Sequence, residues 1–247
     1  MRTLVVVPTY QEAENVTRFL GQVREALPSA DVLVVDDNSP DGTGQLAEKV
    51  GAELGQIQVL HRPTKAGLGA AYRAGFAMGL ADEYDVLVQM DCDFSHDPAV
   101  LPQLLSAVET GADCVVGSRY VPGGSTPSWP LYRSLLSRWG NRYTSGLLEL
   151  GIRDSTSGFR VYRAATLRRV EFQTTRANGY AFQTELAYRM VQAGLRIVEV
   201  PITFVDRAFG KSKMSARIIS ESMALVTFWG LRSRASRLTR RADVAER

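Results

Sequence analysis

Two cysteines in 247 residues, Cys92 and Cys114, are too few for a disulfide framework or a thiolate metal centre. Both stand in apolar runs and read as buried thiols of a reducing compartment. Histidine is equally scarce, at two residues, so imidazole has little to offer as a general base. Long hydrophobic runs are missing too. The longest uncharged apolar stretch near the end, Met223 to Leu231, falls far short of the roughly 20 residues a membrane span requires. No secretory leader is read, because Met1-Arg2-Thr3 runs straight into Leu4-Val5-Val6-Val7 and then Pro8. These absences set the expectation of a cytoplasmic chain without a transmembrane anchor. A net charge of +3 is too small to point to nucleic acid. Gly67-x-Gly69 lacks the third glycine of a dinucleotide fingerprint, and no phosphate-binding P-loop occurs. A nucleotide, if bound, is held by another design.

What is present is an alternation of strands and helices. An apolar content of 45% with 22% charged residues suits a folded chain, long enough for one large α/β domain or two small ones. Leu4–Val7, Val32–Val35, Ile57–Leu60, Tyr84–Met90 and Cys114–Val116 read as strands. Helices are predicted over 12–26, 43–53, 67–80 and 98–110 between and after them. Short loops join them, which predicts a mostly parallel sheet flanked by helices. Beyond residue 117 the pattern changes. A Pro/Gly-rich loop covers 121–130, a helix is expected over 131–150, a polar turn over 154–158 and a short strand follows. A helix over 182–193 and a strand over 197–204 come next, and the strand leads into a basic, glycine-containing loop at 205–214.

Polar residues gather at the ends of three predicted strands: Pro8-Thr9-Tyr10-x-Glu12, Asp36-Asp37 with Asp41, and Asp91-Cys92-Asp93. In an open α/β sheet ligands bind at the carboxyl ends of strands. Two carboxylates one residue apart at such an end call for a compensating cation. Magnesium is often held by one or two carboxylates plus phosphate oxygens. Asp-x-Asp alone is a weak signal. The loop from Asp36 to Gly42 also admits a purely local reading, in which its Asp and Ser side chains cap the next helix. His96 reads equally as a locally bonded turn residue, and Arg133, Arg138 and Arg142 as a solvated basic face.

Taken in order, Val35-Asp36-Asp37-Asn38-Ser39-Pro40-Asp41-Gly42-Thr43, Asp91-Cys92-Asp93-Phe94-Ser95-His96, Asp154-Ser155-Thr156-Ser157-Gly158-Phe159-Arg160 and Arg207-x-x-Gly210-x-Ser212-Lys213 form a specific set. On these segments the chain resembles the inverting family-two glycosyltransferases, and more narrowly those that build dolichyl- or polyprenyl-phosphate mannose. The resemblance implies a GT-A fold, Rossmann-like, with a catalytic domain over 1–216. A C-terminal amphipathic helix and basic tail would occupy 217–247 and contact the membrane surface. It further implies that Pro8, Tyr10, Glu12, Val35 and Asp37 line the nucleoside pocket, with the Cys92 backbone beside the nucleotide. Asp91 and Asp93 would hold Mg2+ or Mn2+. Arg119, Arg207 and Lys213 would face the phosphates of donor and acceptor, Asp93 and these three carrying the catalysis, with Arg133 a further candidate for the lipid phosphate. Two positions depart from the family pattern: Cys92 stands where Ala is usual, and Ser95 where some relatives place a metal-ligating Gln.

The implied reaction moves mannose from GDP-mannose to a polyprenyl phosphate with inversion. The acceptor is anionic at neutral pH and needs no strong base; the work lies in neutralising the departing diphosphate and holding two anions together. Residues 217–231 present a broad apolar arc followed by Arg232, Arg234, Arg237, Arg240 and Arg241, suited either to an anionic membrane surface or to a core helix with a basic tail. The first half of the 131–150 helix is a second membrane-facing candidate, and a separate membrane-anchoring subunit is a candidate partner. Competing readings are a transferase using UDP-glucose or another nucleotide sugar, and a non-catalytic subunit that binds nucleotide sugar.

Overall fold

Leu4, Val5, Val6 and Val7 are all buried in strand β1 (Thr3–Thr9). Successive side chains of a strand point to opposite faces, so an unbroken apolar run requires cover on both. The computed structural model, which describes residues 1–177, 179, 181–207 and 222–232, supplies it. Leu4 and Val6 pack with Phe76, Leu167, Phe182 and Leu186, whereas Val5 and Val7 pack with Phe19, Leu20, Val50 and Leu104. The chain is a three-layer α/β structure.

Six further strands, β2 (Asp31–Asp36), β3 (Ile57–His61), β4 (Val86–Gln89), β5 (Cys114–Ser118), β6 (Arg160–Arg163) and β7 (Ile197–Pro201), complete a seven-stranded sheet in the order β3-β2-β1-β4-β6-β5-β7. All neighbours are parallel except β6, which is antiparallel to both β4 and β5. The reversal has a direct consequence. Arg160, the first residue of β6, sits opposite Gln89 at the end of β4 and Val116 near the end of β5. The polar turn preceding β6 is thereby delivered to the carboxyl edge of the parallel strands, beside Asp91 and Asp93.

The helices are α1 (Ala13–Ala26), α2 (Thr43–Leu54), α3 (Leu68–Ala81), α4 (Leu101–Glu109), α5 (Leu131–Leu148), α6 (Ala164–Arg169) and α7 (Ala181–Gln192). α3 lies against the sheet because Gly75 and Gly79 face it. A methyl group at Gly79 would come within 2.6 Å of Leu87 Cδ2, and one at Gly75 would collide with Val6. The helix expected from Pro98 starts instead with a 3-10 turn, Pro98–Val100, in which the Ala99 amide donates to the Asp97 side chain. α6 and the 3-10 turn Phe172–Thr174 were not legible in the sequence. The last strand stops at Pro201, ahead of the predicted 204.

Residues 222–232 are helical, and one face of this helix joins the body of the molecule. Val226 is buried in the core, the Trp229 ring stacks on Tyr188, and Thr227 and Tyr143 hydroxyls meet at 2.8 Å. Phe228 and Leu231 remain exposed on the other face. The inner side fits the core-helix reading.

Candidate active site

The sheet order reverses direction between β1 and β4, so a crevice opens at their carboxyl ends, where open α/β sheets bind ligands. The three carboxylate clusters converge there with unequal roles. Asp36 is consumed by structure: it accepts from the Thr9 hydroxyl at 2.9 Å and the Ser39 hydroxyl at 2.6 Å, tying β1 to the loop after β2. Asp41 accepts from the Thr43 hydroxyl at 2.6 Å and from the Ala13 amide, joining the starts of α1 and α2. Only Asp41, which also accepts from the Thr43 amide at 3.2 Å, comes near the local reading of a loop that caps the next helix; Asp36 caps none. Asp37 faces outward to the crevice with Arg62 Nη1 at 2.6 Å, and burial raises its pKa against the pull of Arg62. Near it the Lys65 ammonium sits 3.8 Å above the ring of Tyr10. Glu12, at the start of α1, accepts from the Asn15 amide group. Val35 contributes no side chain to this pocket, because its isopropyl group lies in the core beside α3.

The other half of the site is the turn after β4. Phe94 takes a left-handed conformation, φ 60°, which folds Ser95 back so that its amide, at 3.1 Å, and its hydroxyl both donate to Asp93 Oδ1. Asp93 Oδ2 meets Arg207 Nη2 at 3.1 Å. Asp91 Oδ1 accepts from the buried Tyr72 hydroxyl at 3.0 Å, while a methyl group at Gly158 would stand 3.2 Å from its Oδ2. Burial first, and then the charge of Asp93, push the Asp91 carboxyl up to about 7, with Tyr72 opposing. Two carboxylates held by fixed hydroxyls, one of them raised by its neighbour's charge, form a donor set that fits a hard divalent cation. Among the described residues no group of three or more His, Cys, Asp or Glu is placed to hold a metal. Two protein ligands would thus leave most of the shell to water and phosphate. Ser95 serves as a brace for Asp93.

Arg119 differs from expectation. Its Nε and Nη2 form a bidentate bond to Asp154, 2.7 and 2.6 Å, its amide also donates to Asp154, and Nη2 reaches Thr156 at 2.7 Å. The guanidinium is buried among Tyr120, Trp129 and Phe204. In this arrangement it is a strut for the 154–156 turn. Arg160 is another strut, wholly buried and donating to the carbonyls of Ser155, Ser157 and Gln183. His96 packs on Phe159 and Phe204, and burial pushes it down to about 4. In the turn after β4 it is a buried packing residue kept neutral. The Cys92 thiol lies in the core, leaving only its backbone at the rim. Arg133 pairs with Asp206 at 2.8 Å. Lys213, with the Gly210 loop, lies outside the described residues, as do Arg217, Ser220, Glu221 and the tail beyond 232.

Sequence reasoning assigned no role to Arg62, Lys65, Tyr72 or Gly158. Gly158 and Asp154 stood inside a recognised motif. Tyr72 and Arg62 carry no motif, and reach the site only because α3 and the end of β3 pack where they do.

Residues 4–170 match the family described as Glycosyl transferase family 2. The chain belongs to that family. It is a glycosyltransferase of GT-A fold, as the resemblance implied. It is 52% identical over 234 residues to an undecaprenyl-phosphate mannosyltransferase of Micrococcus luteus, covering 95% of this chain and 96% of the relative. To a polyprenol monophosphomannose synthase of Mycolicibacterium smegmatis it is 49% identical over 237 residues, covering 96% and 89%. Among solved structures it is similar to glucosyl-3-phosphoglycerate synthase from Mycobacterium tuberculosis in complex with Mn2+, UDP and product, with a TM-score of 0.62 and 21% identity over 94% of this chain and 79% of that one. A mannosyltransferase of Pyrobaculum calidifontis in complex with GDP-Man and Mn2+ gives 0.60 and 15% over 98% and 75%. At these identities the structural likeness speaks for the fold alone. The two bound bases differ, so the fold does not choose between guanine and uracil.

Proposed function

We propose that this family-2 transferase moves mannose from GDP-mannose to a polyprenyl phosphate, inverting the anomeric carbon. The observation that carries the reading is the placement of Asp91-x-Asp93 and Arg207 together at the sheet's open edge, next to a helix that turns its apolar side outward. Two close relatives whose names specify polyprenyl-phosphate mannosylation support it. In the reaction a phosphate oxygen of the acceptor forms a bond to the anomeric carbon as the bond to the GDP phosphate breaks. The acceptor oxygen is already anionic, which agrees with a site whose nearby imidazole, His96, is kept neutral and packed away. Asp91 and Asp93 would hold Mg2+ or Mn2+, which supplies Lewis-acid stabilisation of the departing diphosphate. Tyr72 and Ser95 fix the two carboxylates, Asp37 with Tyr10 and Glu12 receives the nucleoside, and Arg207 with Arg133 and Lys213 takes phosphate charge. Arg119 acts through Asp154 by positioning the 154–158 turn beneath Asp91.

A transfer assay with labelled GDP-mannose, UDP-glucose or UDP-N-acetylglucosamine, undecaprenyl phosphate and Mg2+ or Mn2+ tests this. Lipid-linked product is expected from GDP-mannose, at least about a hundredfold above either UDP sugar. A folded preparation that binds GDP yet makes lipid-linked product from none of the three would sink the reading.

α5 supports a membrane-surface role because its first half turns large apolar side chains outward, while Leu148 at its end joins the core. Asn141 and Thr144 are buried, Asn141 accepting from the Ser155 amide at 2.8 Å, while Leu131, Tyr132, Leu135, Leu136 and Trp139 are more than half exposed. Arg138 and Arg142 lie exposed beside them, the pairing of apolar and basic side chains that suits an anionic bilayer. No helix of the described residues is long and apolar enough to cross one. Replacing Leu135 and Trp139 together with Glu is expected to lower partition onto phosphatidylglycerol vesicles by roughly a hundredfold, with the melting temperature unchanged. If the pure wild-type chain ignores such vesicles, a membrane-anchoring subunit takes the face instead.

A further inference from the structure

We infer that Arg207 is an internal stand-in for the metal ion: it occupies Asp93 until a metal arrives, and is then released toward the acceptor phosphate. The inference rests on the metal-site reading above. Asp93 has two oxygens, and Ser95 takes one of them twice, through its amide and its hydroxyl. The oxygen that remains for a metal is Oδ2, where the guanidinium of Arg207 sits at 3.1 Å. A divalent cation and a guanidinium sharing one carboxylate oxygen repel each other, so arrival of one favours departure of the other.

The backbone leading up to Arg207 is held through residues 204–206 by hydrogen bonds to two neighbouring segments. The Phe204 amide donates to Ser125 O at 2.9 Å, and the Val205 amide to Ser95 O at 3.3 Å, within the metal turn itself. The Asp206 amide donates to Ser128 Oγ at 3.2 Å. The Asp206 carboxylate accepts from Trp129 Nε1 at 3.1 Å and Arg133 Nη1 at 2.8 Å, at the start of α5. Arg207 therefore stands one residue beyond a strap that joins the metal turn to the outward apolar helix. Leaving Asp93, its guanidinium stays within the neighbourhood of Arg133, where a lipid phosphate arriving along α5 would meet both cations. The arrangement makes binding ordered. Without metal and donor, Arg207 is engaged and the acceptor phosphate finds a weaker site; with them, Arg207 is available.

The full-length chain without nucleotide can be titrated with Mn2+ and free ion read by electron paramagnetic resonance. Arg207→Gln, which removes the competing charge, is expected to bind Mn2+ about tenfold more tightly than wild type, whereas Arg207→Lys stays within about twofold. By reciprocity, saturating Mn2+ with GDP should tighten wild-type binding of geranyl phosphate about tenfold and leave R207Q unmoved. Mn2+ affinity in R207Q equal to or weaker than wild type overturns the inference while the metal site stands. So does an equal shift in R207Q and R207K, since charge would then not be the cause. If the wild-type chain binds no Mn2+ even with GDP, the metal reading itself falls and the inference with it.

Discussion

Replacing Asp93 with Ala lowers kcat/KM for mannosyl transfer about a thousandfold or more, close to 4 kcal/mol of transition-state stabilisation. Two functions leave with that side chain. On the proposed reading one is half of the protein's share of the metal, since no group of three or more His, Cys, Asp or Glu among the described residues is placed to hold one. The other is the anchor of Arg207, 3.1 Å away, which loses its ground-state partner. Ser95 keeps its place but has nothing to brace. The loss should fall mainly on kcat with saturating donor, and excess Mn2+ should not restore it, because Asp91, one oxygen of which already accepts from Tyr72, would be left as the one carboxylate of the pair. The measurement is steady-state transfer over a Mn2+ titration, with GDP binding and thermal melting as controls for folding. Full activity in the Asp93→Ala chain would remove the metal role from this turn.

The largest stability effect is expected at Asp154. This carboxylate is entirely buried and receives three donors from Arg119. Replacing it with Ala leaves a buried guanidinium without its counter-charge, which costs about 3–5 kcal/mol. For a chain of this size that corresponds to a fall in melting temperature on the order of 10 °C. A double variant, Asp154→Leu with Arg119→Met, should recover most of the loss, since exchanging a whole buried pair for apolar groups is far gentler than orphaning one partner. The pH behaviour carries its own sign. Burial would raise the Asp154 pKa, but the charge and hydrogen bonds of Arg119 hold it below the ordinary carboxylate value. A depressed folded-state pKa contributes stability that is present above the unfolded value of about 4 and is lost as pH falls through the folded one. The wild-type chain should thus lose stability on acidification below about pH 4 more steeply than the Asp154→Ala chain. Denaturant melts from pH 3 to 7 would show it; parallel curves would contradict the assignment.

These two carboxylates show what a linear sequence discloses and what it hides. Asp93 was legible because an apolar run ending in Asp-x-Asp has few physical solutions. Leu4–Val7, buried on both faces, was legible for the same reason, and the parallel sheet followed from its repetition. Asp37, Asp36 and Asp41 were legible only as a group. Which of them is engaged by the protein depends on the hydroxyls of Thr9, Ser39 and Thr43; the last two act locally, but Thr9 reaches Asp36 across 27 residues through the packing of β1 on β2. The Asp154 partner of Arg119 was not legible, because a charged side chain at a strand end suits a phosphate and a buried carboxylate equally; only the antiparallel course of β6 brings Asp154 beneath it. Tyr72 was invisible, since its hydroxyl meets Asp91 only when α3 settles on the sheet through Gly75 and Gly79.

That antiparallel strand also bears on the order in which the molecule is made. β1, β2, β3 and β4 use only the first 89 residues and can pair as soon as they are synthesised. β4 then ends the sheet with a free edge, fully apolar apart from Gln89, until residues 160–163 exist to cover it. An open apolar edge invites pairing with other chains, and here it stays open while the whole of α5 is being made. The strand that finally seals it also delivers the turn against Asp91, so covering this edge and placing that turn in the active site are the same event on the growing chain.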